Sequence, residues 1–148
     1  KQAEEGQRKA LAEALQATQA LRESEARYRI LFEQANDAIH LENENDEIID
    51  VNRRVCEMMG YSRKELLTMK VSDLQAPEVR GQAERVVKTE MARRGNTPFE
   101  ALNIHRDGTR IPVEVSVSKV TGIEGDLYIS IVRDITAQAG RGDIERVS

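Results

Sequence analysis

The sequence RDGTRIPVEVSVS at residues 106–118 decides the fold of this chain. Its Asp107-Gly108 pair is a strong turn signal, and apolar residues then alternate with polar ones to the end of the stretch. That period of two is typical of a strand with one buried face. A strand-like segment lies on each side, at residues 99–105 and 127–131. The C-terminal third is therefore predicted to form three antiparallel strands.

Two further strands are predicted earlier in the chain, at residues 37–42 and 47–51. The residues 43–46 between them are polar, so the two segments form a hairpin candidate. Asn52 is a good N-cap for a short helix, and Gly60 is placed to end that helix.

Two more helices are predicted after this hairpin. Ser62 opens a Ser-x-x-Glu capping box, and Pro77 is the predicted first residue of a longer helix that stops at Gly95. The order is thus two strands, several short helices and three strands. It predicts an α+β domain with a five-stranded, mainly antiparallel sheet flanked by short helices.

A long helix is predicted ahead of this domain, at residues 1–26, which are rich in good helix formers and contain no Pro. Leu11, Leu21 and Tyr28 lie on a heptad-like apolar seam. A stripe this thin cannot stabilise a lone helix, so we expect a dimeric coiled coil with these three residues at the interface of a homodimer. The alternative is a solvated linker helix that ends on the domain.

The chain is accordingly divided into a helical linker at residues 1–26, a domain at residues 27–138 and an exit linker at residues 139–148. Its length of 148 residues suits one domain with one appended element. Because the chain starts without Met, we expect it to be part of a longer protein.

Composition excludes several classes of function. The single cysteine, Cys56, cannot build a disulfide framework or a cysteine-based metal site, and it favours a reducing compartment, the cytoplasm. His40 and His105 are too few for a conventional multi-histidine metal centre. No apolar run approaches the roughly 20 residues of a membrane span. The net charge of −4 argues against non-specific binding of nucleic acid.

Five motifs occur in the order and with the gaps of one known family. They are SEARYRILFEQANDAI (24–39), IIDVN (48–52), MGYSRKEL (59–66), RDGTRIPVEVS (106–116) and IVRDIT (131–136). Together they resemble the PAS sensory domain of bacterial signalling proteins, over about residues 23–138. The chain departs from the family at Asp46-Glu47, where Asp-Gly is usual, which puts the geometry of the first hairpin in question.

The resemblance implies a PAS fold and a regulatory role. We expect a sensor and dimerisation module of a cytoplasmic signalling protein, a histidine kinase or a cyclic-dinucleotide enzyme, which relays a signal through its flanking helices to an output domain of the same protein. Asp134 and Thr136 are the expected signal-coupling residues, or else they only cap local backbone. No catalytic motif occurs in the chain, so the fragment itself is expected to be non-catalytic.

The alternative function is that of a small-molecule receptor. Its aliphatic pocket would lie between the sheet and the helices, lined by Ile39, Val51, Val55, Met58, Leu66, Val86, Val113 and Ile129. If Ile39 points into the core, alternation places His40 on the opposite face of the sheet.

No metal or cofactor is predicted for this chain. Haem-binding members of the family ligate iron through a histidine on or next to the long helix, and residues 77–95 contain none, so the resemblance disfavours haem. Photoactive flavin is disfavoured because the stretch VSDLQAP (71–77), which corresponds to the reactive-cysteine motif of light-oxygen-voltage domains, contains no cysteine. The chain has no Trp, three Tyr and two Phe, so few rings are present to hold a flat chromophore.

Overall fold

The computed structural model describes residues 2–82, 98–122 and 124–137. The chain divides into two compact units, Lys1–Gln34 and Ala35–Ser148. The predicted exit linker and most of the helix predicted after Pro77 lie outside the described residues.

The first unit consists of helix α1, Gln2–Gln34. Its 33 residues form one uninterrupted helix, which continues to Gln34 beyond the predicted end at residue 26. Near its end the rings of Tyr28 and Phe32 stack, with centroids 5.2 Å apart. This is an i,i+4 pair, whose members lie on the same face of a helix.

The second unit has a five-stranded antiparallel sheet, as predicted. In chain order its elements are β1 (Ala38–Asn43), β2 (Ile48–Val51), α2 (Arg53–Met59), α3 (Arg63–Leu66), two 3₁₀ turns (Val71–Leu74 and Pro77–Val79), β3 (Phe99–Ile104), β4 (Arg110–Gly122) and β5 (Gly125–Asp134). The strand order is β2-β1-β5-β4-β3. The first and last strands of the unit are therefore neighbours near the middle of the sheet.

The first hairpin forms although it lacks the usual glycine. Asp46 itself adopts the left-handed conformation, with φ 67°, which Asp tolerates better than most residues. Its carbonyl accepts the Val71 N–H at 2.9 Å, and its Oδ2 accepts the Ser72 N–H at 3.0 Å. The Asn43 Oδ1 accepts the Glu47 N–H at 3.0 Å across the same turn. These bonds offset the cost of the conformation and tie the turn to the first 3₁₀ segment.

The predicted caps of the short helices are confirmed. The side chain of Asn52 accepts the Val55 N–H at the start of α2, and Gly60 ends that helix in the left-handed conformation, with φ 80°. Ser62 and Glu65 form a reciprocal capping box on α3. Each of these features depends on residues close in sequence, which explains why the local pattern was sufficient.

The helix predicted to start at Pro77 is not continuous from that residue. Pro77 begins a 3₁₀ turn that ends at Val79, and the backbone of Arg80 is extended, with ψ 129°. Gly81 then adopts φ 89°, a left-handed value that ends helical geometry.

The hydrophobic core lies between the sheet and the short helices. Val51, Val55, Leu66 and Val113 are at most 2% exposed within it, and Met59 is 1% exposed. Core side chains of this size each contribute about 1.5–3 kcal/mol through burial. The core is aliphatic, as the composition predicted.

Candidate functional site

A cavity of about 110 Å³ lies beside this core, on the inner face of the sheet. Four of the five strands, β1, β5, β4 and β3, contribute to its wall, and the first 3₁₀ turn closes one side. Its polar lining residues are His40, Glu42, Asn43, Glu44, Asp46, Gln75, Asn103, Tyr128 and Ser130. Its apolar lining residues are Val71, Leu74, Phe99, Ala101, Val115, Val117 and Val132.

A buried polar network joins the two central strands at this cavity. His40 and Ser130 are paired directly across β1 and β5. The Glu42 carboxylate accepts from His40 Nδ1 at 2.7 Å through Oε2 and from the Ser130 hydroxyl at 2.5 Å through Oε1. The three residues are between 2% and 7% exposed. Buried polar groups of this kind are tolerated because each has a partner.

The pKa of His40 is set by competing effects. Burial is the largest single influence and lowers it, because burial disfavours the charged imidazolium. The charge of Glu42, its hydrogen bond and the charge of Asp46 together outweigh burial, so the pKa is raised above its ordinary value of 6.5. His40 and Glu42 therefore act as a charge-assisted pair.

The expected orientation of β1 is wrong. Ala38, His40 and Glu42 are the buried residues of the strand, whereas Ile39 and Leu41 are only partly buried on the opposite face. The polar network makes this orientation tolerable, because His40 and Glu42 have partners inside the protein. A period of two predicts that alternate residues share a face, but it does not say which face is buried when both contain apolar residues.

None of the described residues predicted to line an aliphatic pocket lines this cavity. Val51, Val55, Leu66 and Val113 fill the core instead. Met58 packs against the core from its edge. Ile39 and Ile129 lie on the other face of the sheet from His40, and Val86 lies outside the described residues. The cavity is thus lined by a polar set that sequence reasoning missed.

The signal for the missed residues was present in the sequence. His40 and Glu42 are separated by two positions on a predicted strand, so they must share a face. A histidine and a carboxylate on one face form a natural pair. Ser130, however, lies 88 positions from Glu42, so only the strand order brings it to the pair.

The chain enters and leaves the second unit at the same end of the sheet. Ala38 pairs with Val132 at the start of β1 and the end of β5. One position beyond them, Arg133 Nε in β5 lies 3.7 Å from a carboxylate oxygen of Asp37, the residue before β1.

Asp134 and Thr136, the predicted coupling residues, are in direct contact. Asp134 Oδ1 accepts from the Thr136 amide at 2.8 Å and from its hydroxyl at 2.5 Å. The Ile135 amide between them donates to the Pro112 carbonyl at 3.0 Å. The end of β5 is therefore fixed to β4 and to the outgoing backbone at once.

The predicted interface residues of α1 are exposed. Leu11 is 61% exposed, Leu21 is 60% and Tyr28 is 43%. Leu15, which sequence reasoning did not include, is 62% exposed and lies one turn from Leu11.

The cavity volume of about 110 Å³ is smaller than that of an engineered cavity of about 150 Å³ that accommodates benzene. Cys56 packs against the hydrophobic core. His105 accepts the Asp107 N–H through Nδ1 at 3.0 Å, in the turn before β4. Within residues 2–82, 98–122 and 124–137, no cluster of three metal-ligating side chains occurs.

Comparison with known proteins gives consistent matches. A family model described as PAS domain matches residues 36–137. A methyl sulfide methyltransferase-associated sensor of Methanosarcina acetivorans is 34% identical over 125 residues, which are 84% of this chain and 12% of the relative. The chain thus spans a small part of that protein.

Solved structures match along most of the chain. A domain of the sensory box sensor histidine kinase/response regulator from Geobacter sulfurreducens is 30% identical with a TM-score of 0.58, covering 77% of this chain and 96% of that chain. The structure of an RNA-binding light-oxygen-voltage receptor matches with a TM-score of 0.70, and the match covers 82% of this chain and 36% of that chain. At 20% identity this second likeness shows the fold alone. Among the described residues, no helix is long and apolar enough to cross a membrane.

Proposed function

This chain belongs to the PAS domain family, and from that premise we propose that it is the regulatory module of a cytoplasmic signalling protein, a histidine kinase or a cyclic-dinucleotide enzyme. The module passes a signal to an output domain of the same protein through the segments that flank it. The chain contributes regulation, and the catalytic step belongs to the output domain. The likeness to a domain of a sensor histidine kinase supports the first of these two parents.

The observation that carries this proposal is the position of the two flanks. β1 and β5 are paired neighbours, and Arg133 near the end of β5 forms an exposed ion pair with Asp37, the residue just before β1. A change in the β1–β5 pairing therefore shifts both flanks together. In a two-state scheme, a signal that favours one packing of these strands also shifts the output domain between its active and inactive states.

The test is made in the full-length parent protein. Asp134→Ala removes both hydrogen bonds to Thr136 at an exposed position. We expect the activity of the output domain, measured as autophosphorylation or cyclic-dinucleotide synthesis, to change several-fold while the melting temperature of the module stays nearly constant. Glu124→Ala, an exposed carboxylate removed at the other end of β5, is the matched control and leaves output unchanged. Equal output from all three proteins contradicts the relay.

We also propose that α1 forms a homodimer through its exposed leucines. A long helix with a narrow apolar stripe gains stability from a partner rather than from propensity. Leu21→Asp is expected to convert a dimer into a monomer, measured as mass by light scattering. Gln16→Asp introduces the same charge about 140° around the helix from both Leu11 and Leu21 and is the control. A dimer mass retained by Leu21→Asp overturns this part of the proposal.

The cavity supports a second candidate function, that of a small-molecule receptor. Its polar lining differs from the aliphatic pocket expected from sequence. Visible absorbance of the purified protein reports a coloured cofactor, and native mass spectrometry reports a colourless ligand. A mass above that of the chain alone supports the receptor, whereas an apo mass with no visible absorbance favours regulation by a neighbouring domain.

A further inference from the structure

We infer that the cavity takes a small organic cation, an alkylammonium ion of about five non-hydrogen atoms or fewer. The inference rests on the receptor function proposed above and deepens it, because it names the class of ligand. It follows from the charge of the lining, the division of the wall into polar and apolar parts, and the volume of the cavity.

The charge of the lining is negative. Glu42, Glu44 and Asp46 contribute three carboxylates, against the single imidazole of His40. Among the described lining residues there is no Lys or Arg. Small-acid ligands need a cationic partner when they leave water, since an unpaired buried charge is costly. This cavity repels an anion and attracts a cation.

The carboxylates differ in depth. Glu42 is 7% exposed and already accepts from His40 and Ser130. An ionised carboxylate offers about four acceptor positions, so these two bonds leave room for an ammonium N–H. Glu44 is exposed at the mouth, where its Oε1 accepts the Asp126 N–H at 3.2 Å. The carboxylates thus line the cavity from an exposed position, Glu44, to a buried one, Glu42.

The remaining wall suits alkyl groups on the cation. Val115 and Val117 of β4 and Leu74 of the 3₁₀ turn are apolar, and the rings of Phe99 and Tyr128 also line the cavity. Aromatic faces attract alkylammonium ions by the cation–π interaction, worth about 0.5–2 kcal/mol. A ligand with one charged centre and methyl groups satisfies both parts of the wall.

The size of the ligand follows from the volume. The cavity, at about 110 Å³, is smaller than the engineered cavity of about 150 Å³ that accommodates benzene. Trimethylammonium is within this limit and carries one N–H donor. It is therefore a suitable probe.

The test titrates the 148-residue chain with trimethylammonium chloride and follows the backbone amide shifts by NMR. We expect saturable binding to one site, with the largest shifts at Ser130 and Val117. Tert-butanol, a neutral molecule of similar shape, binds more weakly, and isobutyrate, an anion, does not bind in the same range. Isobutyrate binding as tightly as the cation, or shifts confined to residues outside the cavity, overturns the inference. The absence of saturable binding by trimethylammonium also overturns it.

Two variants test the role of the carboxylates. Glu42→Gln keeps the shape and removes the charge, so the dissociation constant is expected to rise about tenfold or more. Asp46→Asn keeps a residue type that tolerates φ > 0 and is expected to weaken binding as well. Glu57→Gln removes an exposed charge from α2 and leaves binding unchanged. If Glu42→Gln fails to fold, as judged by circular dichroism, the Asp46→Asn result decides; unchanged affinity in the folded variants refutes the inference.

The result is separable from the test of signal relay. Cation binding without any change in the output of the parent protein supports the ligand class and contradicts the relay. Output that responds to Asp134→Ala, in a chain that does not bind the cation, supports the relay and overturns the ligand class.

Discussion

Asn52 is the residue whose loss should damage the domain most through hydrogen bonding. It is fully buried and lies between β2 and α2. Its Oδ1 accepts the Ile39 N–H at 3.0 Å and the Val55 N–H at 3.3 Å, and its Nδ2 donates to the Asp37 carbonyl at 3.0 Å. One amide thus joins the start of β1, the start of α2 and the segment before β1.

The magnitude for Asn52→Ala follows from these three bonds. Loss of an N-cap costs about 1 kcal/mol. Leaving the Ile39 N–H and the Asp37 carbonyl without a protein partner costs about 1–3 kcal/mol for each group, less where water can enter. We expect a total loss of about 3–5 kcal/mol, a large share of the roughly 5–15 kcal/mol typical of a domain.

The assay is urea denaturation followed by far-ultraviolet circular dichroism, with the free energy of unfolding taken by linear extrapolation. Ser62→Ala is the matched control, because it removes the cap of α3 at an exposed position and should cost only about 1 kcal/mol. Asn52→Asp keeps the acceptor but buries a carboxylate oxygen against the Asp37 carbonyl oxygen, so its cost should also exceed that of Ser62→Ala. If Asn52→Ala costs no more than Ser62→Ala, the reasoning about buried partners is refuted.

Three further predictions concern strain and charge. Gly60→Ala should destabilise the domain by about 2 kcal/mol or more in thermal denaturation. The reason is that φ at Gly60 is 80° and that a new Cβ would lie 2.5 Å from the ring of His105. A loss below about 0.5 kcal/mol contradicts this prediction. The pKa of His40 is raised, so its contribution to stability is complete below pH 6.5 and is lost as pH rises through the folded-state pKa. The difference in the free energy of unfolding between wild type and His40→Gln should therefore shrink over that range. A difference that stays constant with pH would argue against the pair of His40 and Glu42. Arg110 lowers the pKa of Glu78 to about 2, so the contribution of Glu78 to stability is present above pH 4.5 and disappears as pH falls toward 2. The melting temperatures of wild type and Glu78→Gln should therefore converge as pH falls toward 2. Melting temperatures that differ by the same amount at every pH would contradict this prediction.

The fold was largely predictable because its decisive features are local. Asn52, Gly60 and Ser62 act on backbone within a few residues, and the sheet strands follow the period of two. The position of Asp46 was harder, since the left-handed turn depends on bonds to residues 71 and 72.

The site was much less predictable. β1 and β5 contain apolar residues at alternate positions, and those residues suggested an inward face. The buried face is instead the one with His40, Glu42 and Ser130, and its burial is tolerated because these side chains satisfy one another. The hydrogen bond between Glu42 and Ser130 depends on β1 and β5 being neighbours in the sheet. The sequence of one strand does not say which strand lies beside it.

The pairing of Ala38 with Val132 also has a mechanical consequence. Tension applied to the two flanks pulls β1 and β5 apart from one end, so their ladder bonds break one after another rather than all together. Such an unzipping geometry yields at low force. The third pair from that end joins His40 to Ser130, so unzipping as few as three residue pairs disrupts the cavity wall. A module built this way responds to modest pulling by its neighbours with a change at its own interior.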